Sequence, residues 1–232
     1  MNRQQVVTKG IVLSRTDFAE ADRVVTILTP DQGKVRLLAK AVRRPLSKLA
    51  GGIELFSVSN ITYLKGRGEL NTLVSSRLKT HYGNIVNEVN RTMFGYDMLK
   101  ILNRTTEEAA GEEYFDLLQH MLAALNEPAV DLRLVELVFS IQLLALTGHS
   151  PNLQTDSNGK PLTSDQQYLF NYERMAFMPA DQGLFGASHI KLLRLAQQGQ
   201  APATLQNIKD VEKLLPSTIK LAVQLRRQFL RI

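Results

Sequence analysis

Residues 23–40, "RVVTILTPDQGKVRLLAK", place two apolar, β-branched runs on either side of a four-residue turn, and this hairpin decides how the first third of the chain folds. The runs 23–29 and 34–40 are predicted strands. The turn "PDQG" (30–33) offers Gly33 where the backbone needs a positive φ. Side chains on a strand alternate with period two. Val35, Leu37 and Ala39 therefore face one side, and Lys34, Arg36, Leu38 and Lys40 the other. The apolar side suits a barrel interior. The cationic side leads into "AKAVRRPLSKLAGG" (39–52), where Lys40, Arg43, Arg44 and Lys48 stand without an acid, and Pro45 with Gly51 and Gly52 marks a mobile connection.

Three flanking runs complete the pattern: "QVVTKGIVLSR" (5–15), "IELFSVSNITYLK" (53–65) and "ELNTLVSSRLK" (69–79), the last two joined at "GRG" (66–68). Five glycine-punctuated strands in so short a stretch predict a Greek-key barrel of the oligonucleotide-binding (OB) type over residues 1–80. Past residue 83 the period becomes helical. Ile85, Val89, Met93, Tyr96 and Leu99 recur at spacings of three and four within 84–103 and are expected to face a core. Residues 111–128 open with acids and stop at Asn126 before Pro128; residues 130–148 end at Gly148. A helix over 188–199 has Ser188 as N-cap, and 208–232 gives a short helix, a break near Pro216 and a final helix. Residues 149–183 lose periodicity. The expected class is α+β: a barrel, then a mainly helical domain (81–232) with an irregular insertion.

The 232 residues carry a net charge of +6, and the isoelectric point is about 9.6. Residues 1–80 hold 14 Lys+Arg against 6 Asp+Glu, a net of +8; the remainder holds 14 against 16, a net of −2. No acid occurs between Asp31 and Glu54, a gap that contains Lys34, Arg36, Lys40, Arg43, Arg44 and Lys48. Such one-sided charge favours a polyanionic partner. Lys65, just before the "GRG" turn, and Arg67 within it join that set, whose lysines and arginines suit phosphate contact without base reading. Barrel-type single-strand binders also stack bases on aromatics. Phe18, Phe56, Tyr63 and Tyr82 are available in this region. Phe56 and Tyr63 fall on opposite faces of one predicted strand, so at least one is expected to be exposed.

Other functional classes lack their residues. There is no cysteine, hence no disulfide framework and no thiolate metal site, as suits a reducing cytoplasm. His81, His120, His149 and His189 lie far apart without ligand spacing. No GxSxG, P-loop or GxGxxG motif is present, and the acid pairs Glu107–Glu108 and Glu112–Glu113 suit a helix start rather than catalysis. No catalytic residue and no cofactor is expected. The N-terminus lacks the apolar stretch of a secretory signal, and no apolar run is long enough to span a membrane.

The run "GKVRLLAKAVRRPLSKLAGGIELFS" (33–57), the hairpin "YLKGRGEL" (63–70), "TLVSSRL" (72–78) and the entry "IVLSRTDFAEADRVVTILTPDQG" (11–33) together resemble the RecO family of recombination mediators. In that pattern a strand ends in a lysine, here Lys40. An Arg-rich linker, an aromatic before the next strand and a Gly-rich basic hairpin follow, here Arg43–Arg44, Phe56 and Gly66–Gly68. The resemblance implies a bacterial, cytoplasmic, nucleoid-associated protein that binds single- and double-stranded DNA and anneals complementary strands. It implies help in loading recombinase onto DNA coated by single-strand-binding protein (SSB). It also implies a RecR-type partner and contact with the acidic C-terminal tail of SSB. For that tail, Lys220, Arg226, Arg227 and Arg231 beside Leu221, Val223, Leu225, Phe229 and Leu230 offer an apolar slot with a cationic rim. Many members carry four cysteines as a zinc module. Here "LTGHSPNLQTDSNGKPL" (146–162) keeps Gly148, Pro151 and Leu153, but the cysteine positions fall near Asp156, Asn158 and Met178, so zinc is not expected. The segment is expected to hold through Leu162, Tyr168, Phe170, Tyr172 and Phe177. Two rival readings follow from the charge: an RNA-binding barrel, or a non-catalytic adaptor that grips an acidic peptide.

Overall fold

The hairpin at 23–40 forms as its pattern requires. In the computed structural model, whose described residues are 4–106 and 110–231, five strands close into a barrel: β1 (Gln5–Phe18), β2 (Asp22–Thr29), β3 (Gly33–Ala39), β4 (Ser57–Leu64) and β5 (Leu70–His81). Their order around the barrel is β1-β2-β3-β5-β4, the arrangement of an OB barrel. Neighbours are antiparallel except β3 and β5, which run parallel and pair Arg36 with Leu70 and Leu38 with Thr72. Gly33 adopts φ 61°, as the turn demands. Val35, Leu37 and Ala39 are buried in a core with Val12, Val25, Ile27 and Ile61, while Arg36 stays exposed.

Strand β4 begins later than its sequence suggests. Residues Ala50–Ile53 form a 3-10 turn, and Phe56 turns the chain into β4 at φ 55°. A left-handed phenylalanine is strained, so its packing must hold it there. The ring lies edge-on to Tyr96 at 5.1 Å, over Gly95, where an added Cβ would sit 2.8 Å from the ring.

The chain divides into two compact units, residues 1–126 and 127–232. In the first, helix α1 (Val89–Thr105) packs on β1, and α2 (Glu112–Asn126) packs on α1 and β2. The face that α1 buries is not the expected one. Val89, Met93 and Tyr96 are 72%, 62% and 50% exposed, whereas Phe94, Met98, Ile101 and Leu102 are buried with Leu99. The buried face also carries Arg91 and Gly95, which weigh against burial in any hydropathy count. Arg91 is accommodated because its guanidinium donates to the Leu125 carbonyl at 2.9 Å and pairs with Glu88 at 2.8 Å. The acid pair Glu107–Glu108 lies outside the described residues.

In the second unit α3 (Leu132–Leu146) is apolar on nearly every side and is buried from Leu134 to Leu144 on most of its surface. Asp131 caps its start by accepting from the Arg133 amide at 2.8 Å. Helices α4 (Ala187–Gln197), α5 (Pro202–Leu205) and α6 (Val211–Leu230) pack against α3. Helix α4 starts after Gly186, not at Ser188; the Gly186 amide donates to His189 Nδ1. Helix α6 runs unbroken through Pro216. Only the single bond from residue 216 to the exposed Glu212 carbonyl is lost, close to the solvated N-terminal end.

Residues 149–183 are not irregular throughout. They contain β6 (Asn152–Asp156), β7 (Tyr168–Asn171) and β8 (Ala176–Pro179) in the order β6-β8-β7. Strands of four or five residues are too short to show a period. Phe177 meets Tyr168, Phe170 and Phe185 edge-to-face. Leu162 and Tyr172 are only partly buried. At the position where the resemblance implies a cysteine ligand, Asp156 is buried and its carboxylate accepts the amides of Asn158 at 2.8 Å and Lys160 at 2.9 Å. The turn thus closes on itself, and with no thiolate in the chain these residues do not fit a zinc ion. Among the described residues no three His, Asp or Glu converge as ligands, and no helix is long and apolar enough to cross a membrane.

Candidate nucleic-acid interface

The basic segment after β3 is docked on the barrel rather than free. Val42 is buried in the barrel core. The Ala41 amide donates to Asp22 Oδ1 at 2.7 Å, and the Arg43 amide to the Ala21 carbonyl at 3.0 Å. Further along, Ser76 Oγ donates to the Leu49 carbonyl at 2.8 Å. Gly52 lies so close to Ser76 that an added Cβ would fall 2.5 Å from the serine Cβ. Gly52 therefore marks a tight approach rather than a mobile joint, while Gly51 beside it faces open space.

From this seat Lys40, Arg43, Arg44 and Lys48 all project into solvent, as do Arg36, Lys65 and Arg67. Arg43 pairs loosely with Asp17 at 3.6 Å, and Arg36 with Glu69 at 3.6 Å. Lys40, Arg44 and Lys48 form no ion pair among the described residues. The small acidic loop between β1 and β2 has a supporting task. Arg23 donates to Asp17 at 2.9 Å, and that hydrogen bond, with the nearby charge of Arg43, holds the Asp17 carboxyl below its usual range. Asp17 and Asp22 thus brace the start of the basic loop from one side.

Four expected roles change, those of Lys34, Phe56, Tyr63 and Arg226. Lys34 is half-buried, and its ammonium donates to the carbonyls of Asn103 at 2.9 Å and Thr106 at 2.7 Å. It satisfies the C-terminal end of α1, where a cation is favoured by the helix dipole. Replacing Lys34 by Met is expected to destabilise the first unit by about 1–3 kcal/mol. A lower urea midpoint, with the salt dependence of DNA binding unchanged, is the expected result.

Phe56 and Tyr63 are 3% and 2% exposed, so neither ring presents a face to a base. The prediction of opposite strand faces fails because Phe56 precedes β4, and its left-handed backbone sends the ring toward α1. Tyr82 is also buried, whereas Phe18 is 51% exposed at the end of β1, next to Asp17. Two exposed cations were missed: Arg77 and Lys79 on β5. Their spacing of two on a predicted strand was the available signal. Register places Arg77 beside Asn60 and Asn60 beside Lys9, a polar row across the outside of three strands.

On α6, Lys220 and Arg227 are exposed, and their spacing of seven puts them on one side of the helix; Arg231, also exposed, follows the helix as its left-handed C-terminal cap at φ 53°. Arg226 is not part of that rim. It is 9% exposed, donates to Ser140 Oγ at 3.1 Å and approaches Glu136 at 4.0 Å. One residue's rotation, about 100°, takes it from the ridge into the packing against α3.

A closed five-stranded barrel with the OB strand order and a docked cationic loop, followed by a largely helical region, defines an α+β protein built on an OB barrel. Residues 1–82 match the family model for the Recombination protein O N terminal domain, and residues 87–228 match that for the Recombination protein O C terminal domain. The chain belongs to the Recombination protein O family. It is 27% identical over 229 residues to a DNA repair protein RecO of Dehalococcoides mccartyi, covering 96% of this chain and 89% of the relative. A DNA repair protein RecO of Desulfatibacillum aliphaticivorans is 35% identical over 151 residues, 64% of this chain and 58% of that protein. A third, from Alkaliphilus metalliredigens, is 28% identical over 176 residues, 72% of this chain and 71% of the relative.

Proposed function

We propose that this chain is a non-catalytic mediator of recombination in DNA repair. In this reading it binds single- and double-stranded DNA without sequence preference and brings complementary strands together. It helps recombinase onto SSB-coated DNA in the bacterial cytoplasm, working with a RecR-type protein and the acidic tail of SSB. The observation that carries the reading is the docked loop of Lys40, Arg43, Arg44 and Lys48, cationic and nearly unpaired on an OB barrel. Family membership supports it. Cations on a seated loop neutralise two phosphate backbones at once and reduce their mutual repulsion.

Phe18 is the base-stacking residue of this reading, since it is exposed and follows Asp17, which pairs with Arg43 of the loop. Phe18→Ala is expected to weaken single-strand binding about tenfold while changing duplex binding little, because stacking is worth about 1–3 kcal/mol per base and needs unpaired bases. Fluorescence anisotropy on both substrates measures it. The exposed Lys220 and Arg227 on α6, with Arg231 just past its end, favour the peptide tail as a second ligand. Strand annealing with and without SSB tests the whole proposal. Competition among single-stranded DNA, duplex DNA, RNA and an acidic peptide separates it from the RNA-binding and adaptor readings. Failure to accelerate annealing in either condition, with RNA preferred, would overturn it.

A further inference from the structure

A concave polar pocket of about 210 Å³ opens between β3 and the hairpin that joins β4 to β5. Arg36 and Lys65 contribute two cations to its wall and Glu69 one carboxylate; Lys34 lines it too, but its ammonium is taken by the Asn103 and Thr106 carbonyls. Tyr63 lines it as well. The ring is 2% exposed, yet its hydroxyl has no hydrogen-bond partner among the described residues. Burial, and then the charge of Asp31, keep that hydroxyl protonated and therefore a donor. Asp31 itself is engaged by the Thr8 hydroxyl. A donor that opens onto the pocket and that no described side chain engages, beside Arg36 and Lys65, suits an oxyanion.

We propose that this pocket receives a terminal phosphate of a nucleic-acid strand, a phosphomonoester. The inference rests on the reading of the barrel as DNA-binding. Arg36 and Lys65 against Glu69 leave the wall net positive. A phosphomonoester carries roughly −1.5 to −2 near neutral pH, because its second ionisation lies near pH 6, whereas a diester inside a strand carries a single negative charge. Shape agrees with charge: a strand interior must run on past its binding site in both directions, but a strand end can stop in a pocket. Glu69 occupies the position of a competitor. Its carboxylate lies 3.6 Å from Arg36, and its side chain is 74% exposed, so an arriving phosphate takes its place on the guanidinium. Tyr63, buried for the sake of the barrel core, adds a donor at the pocket floor.

The test compares short single strands of one sequence ending in a 5′-phosphate, a 3′-phosphate or hydroxyls, titrated against the full chain at several salt concentrations. One phosphorylated end is expected to bind about tenfold tighter than the hydroxyl-ended strand, the size of one charge-assisted hydrogen bond. Tyr63→Phe should remove most of that preference. Glu69→Gln should increase it, and because Glu69 is exposed this variant carries the test if Tyr63→Phe misfolds. Inorganic phosphate should compete with the phosphorylated strand more effectively than with the hydroxyl-ended one beyond the shared effect of ionic strength. Equal affinity for all three ends in the unmodified chain overturns the proposal and leaves the pocket, at most, a contact for internal phosphodiesters. Absence of salt-dependent binding to any strand overturns the DNA-binding reading itself, a result distinguishable from the first.

Discussion

Replacing Arg43, Arg44 and Lys48 together by Ala is expected to lower affinity for single-stranded DNA about a hundredfold at about 0.1 M salt. The size follows from counterion release. Each phosphate contact on a single strand contributes about −0.7 to the slope of log K against log salt, and about fivefold in affinity at that salt. With roughly four to six phosphates engaged, the unmodified chain should show a slope of about −3 to −4, and the triple variant a slope shallower by about 2. Stability should change by no more than about 0.5 kcal/mol per substitution, since all three side chains are exposed. The segment is held by Val42, Ala41, Leu49 and Gly52 rather than by its cations. Anisotropy titrations over a salt series measure both quantities. A slope equal to that of the unmodified chain would sink the assignment of this loop.

Arg226→Glu is expected to be the most damaging single change on α6, with a loss of about 3–5 kcal/mol. Arg226 is nearly buried, and its guanidinium meets Ser140 and Glu136 on α3. A carboxylate in its place would lie unpaired beside another carboxylate in a low-dielectric setting. Arg227→Glu, one residue along, changes an exposed side chain and should be nearly neutral for stability. Thermal melts of the two variants form a matched pair. If the melting temperatures fall equally, Arg226 does not lie in the packing against α3. The contrast also fixes how peptide binding should be probed: charge reversal at Lys220, Arg227 and Arg231 tests the exposed cations, whereas reversal at Arg226 tests folding.

Much of the barrel was legible because a strand that is half inside and half outside writes its burial as alternation. Val35, Leu37 and Ala39 point inward, and Arg36 outward, as their parity required. The cationic loop was legible as a charge gap, since exposed like charges need no tertiary information to be recognised. What stayed hidden depended on partners distant in sequence. Phe56 looked like a strand residue, but Gly95 and Tyr96 on α1 decide where its ring goes. Lys34 looked like a phosphate contact, but the carbonyls at the end of α1 claim its ammonium. Arg91 and Arg226 are cations in packed surroundings, and charge alone assigns such residues to solvent. The three short strands between α3 and α4 are stabilised by aromatic contacts, which leave no period to detect.

The connectivity of the barrel has a consequence for its assembly. The hairpin of β2 and β3 is local, but β1 finds its second neighbour only at β4, pairing Gln5 with Leu64, and β3 only at β5, pairing Leu38 with Thr72. A growing chain therefore presents a three-stranded sheet with both edges open until the β4–β5 hairpin has emerged. Open apolar edges are where nascent chains stick to one another. The segment that follows β3 at that moment is the run containing Lys40, Arg43, Arg44 and Lys48. Like charges flanking an unpaired strand hold neighbouring copies apart. The four cations proposed to face a polyanion in the finished barrel thus also flank its unfinished edge during synthesis.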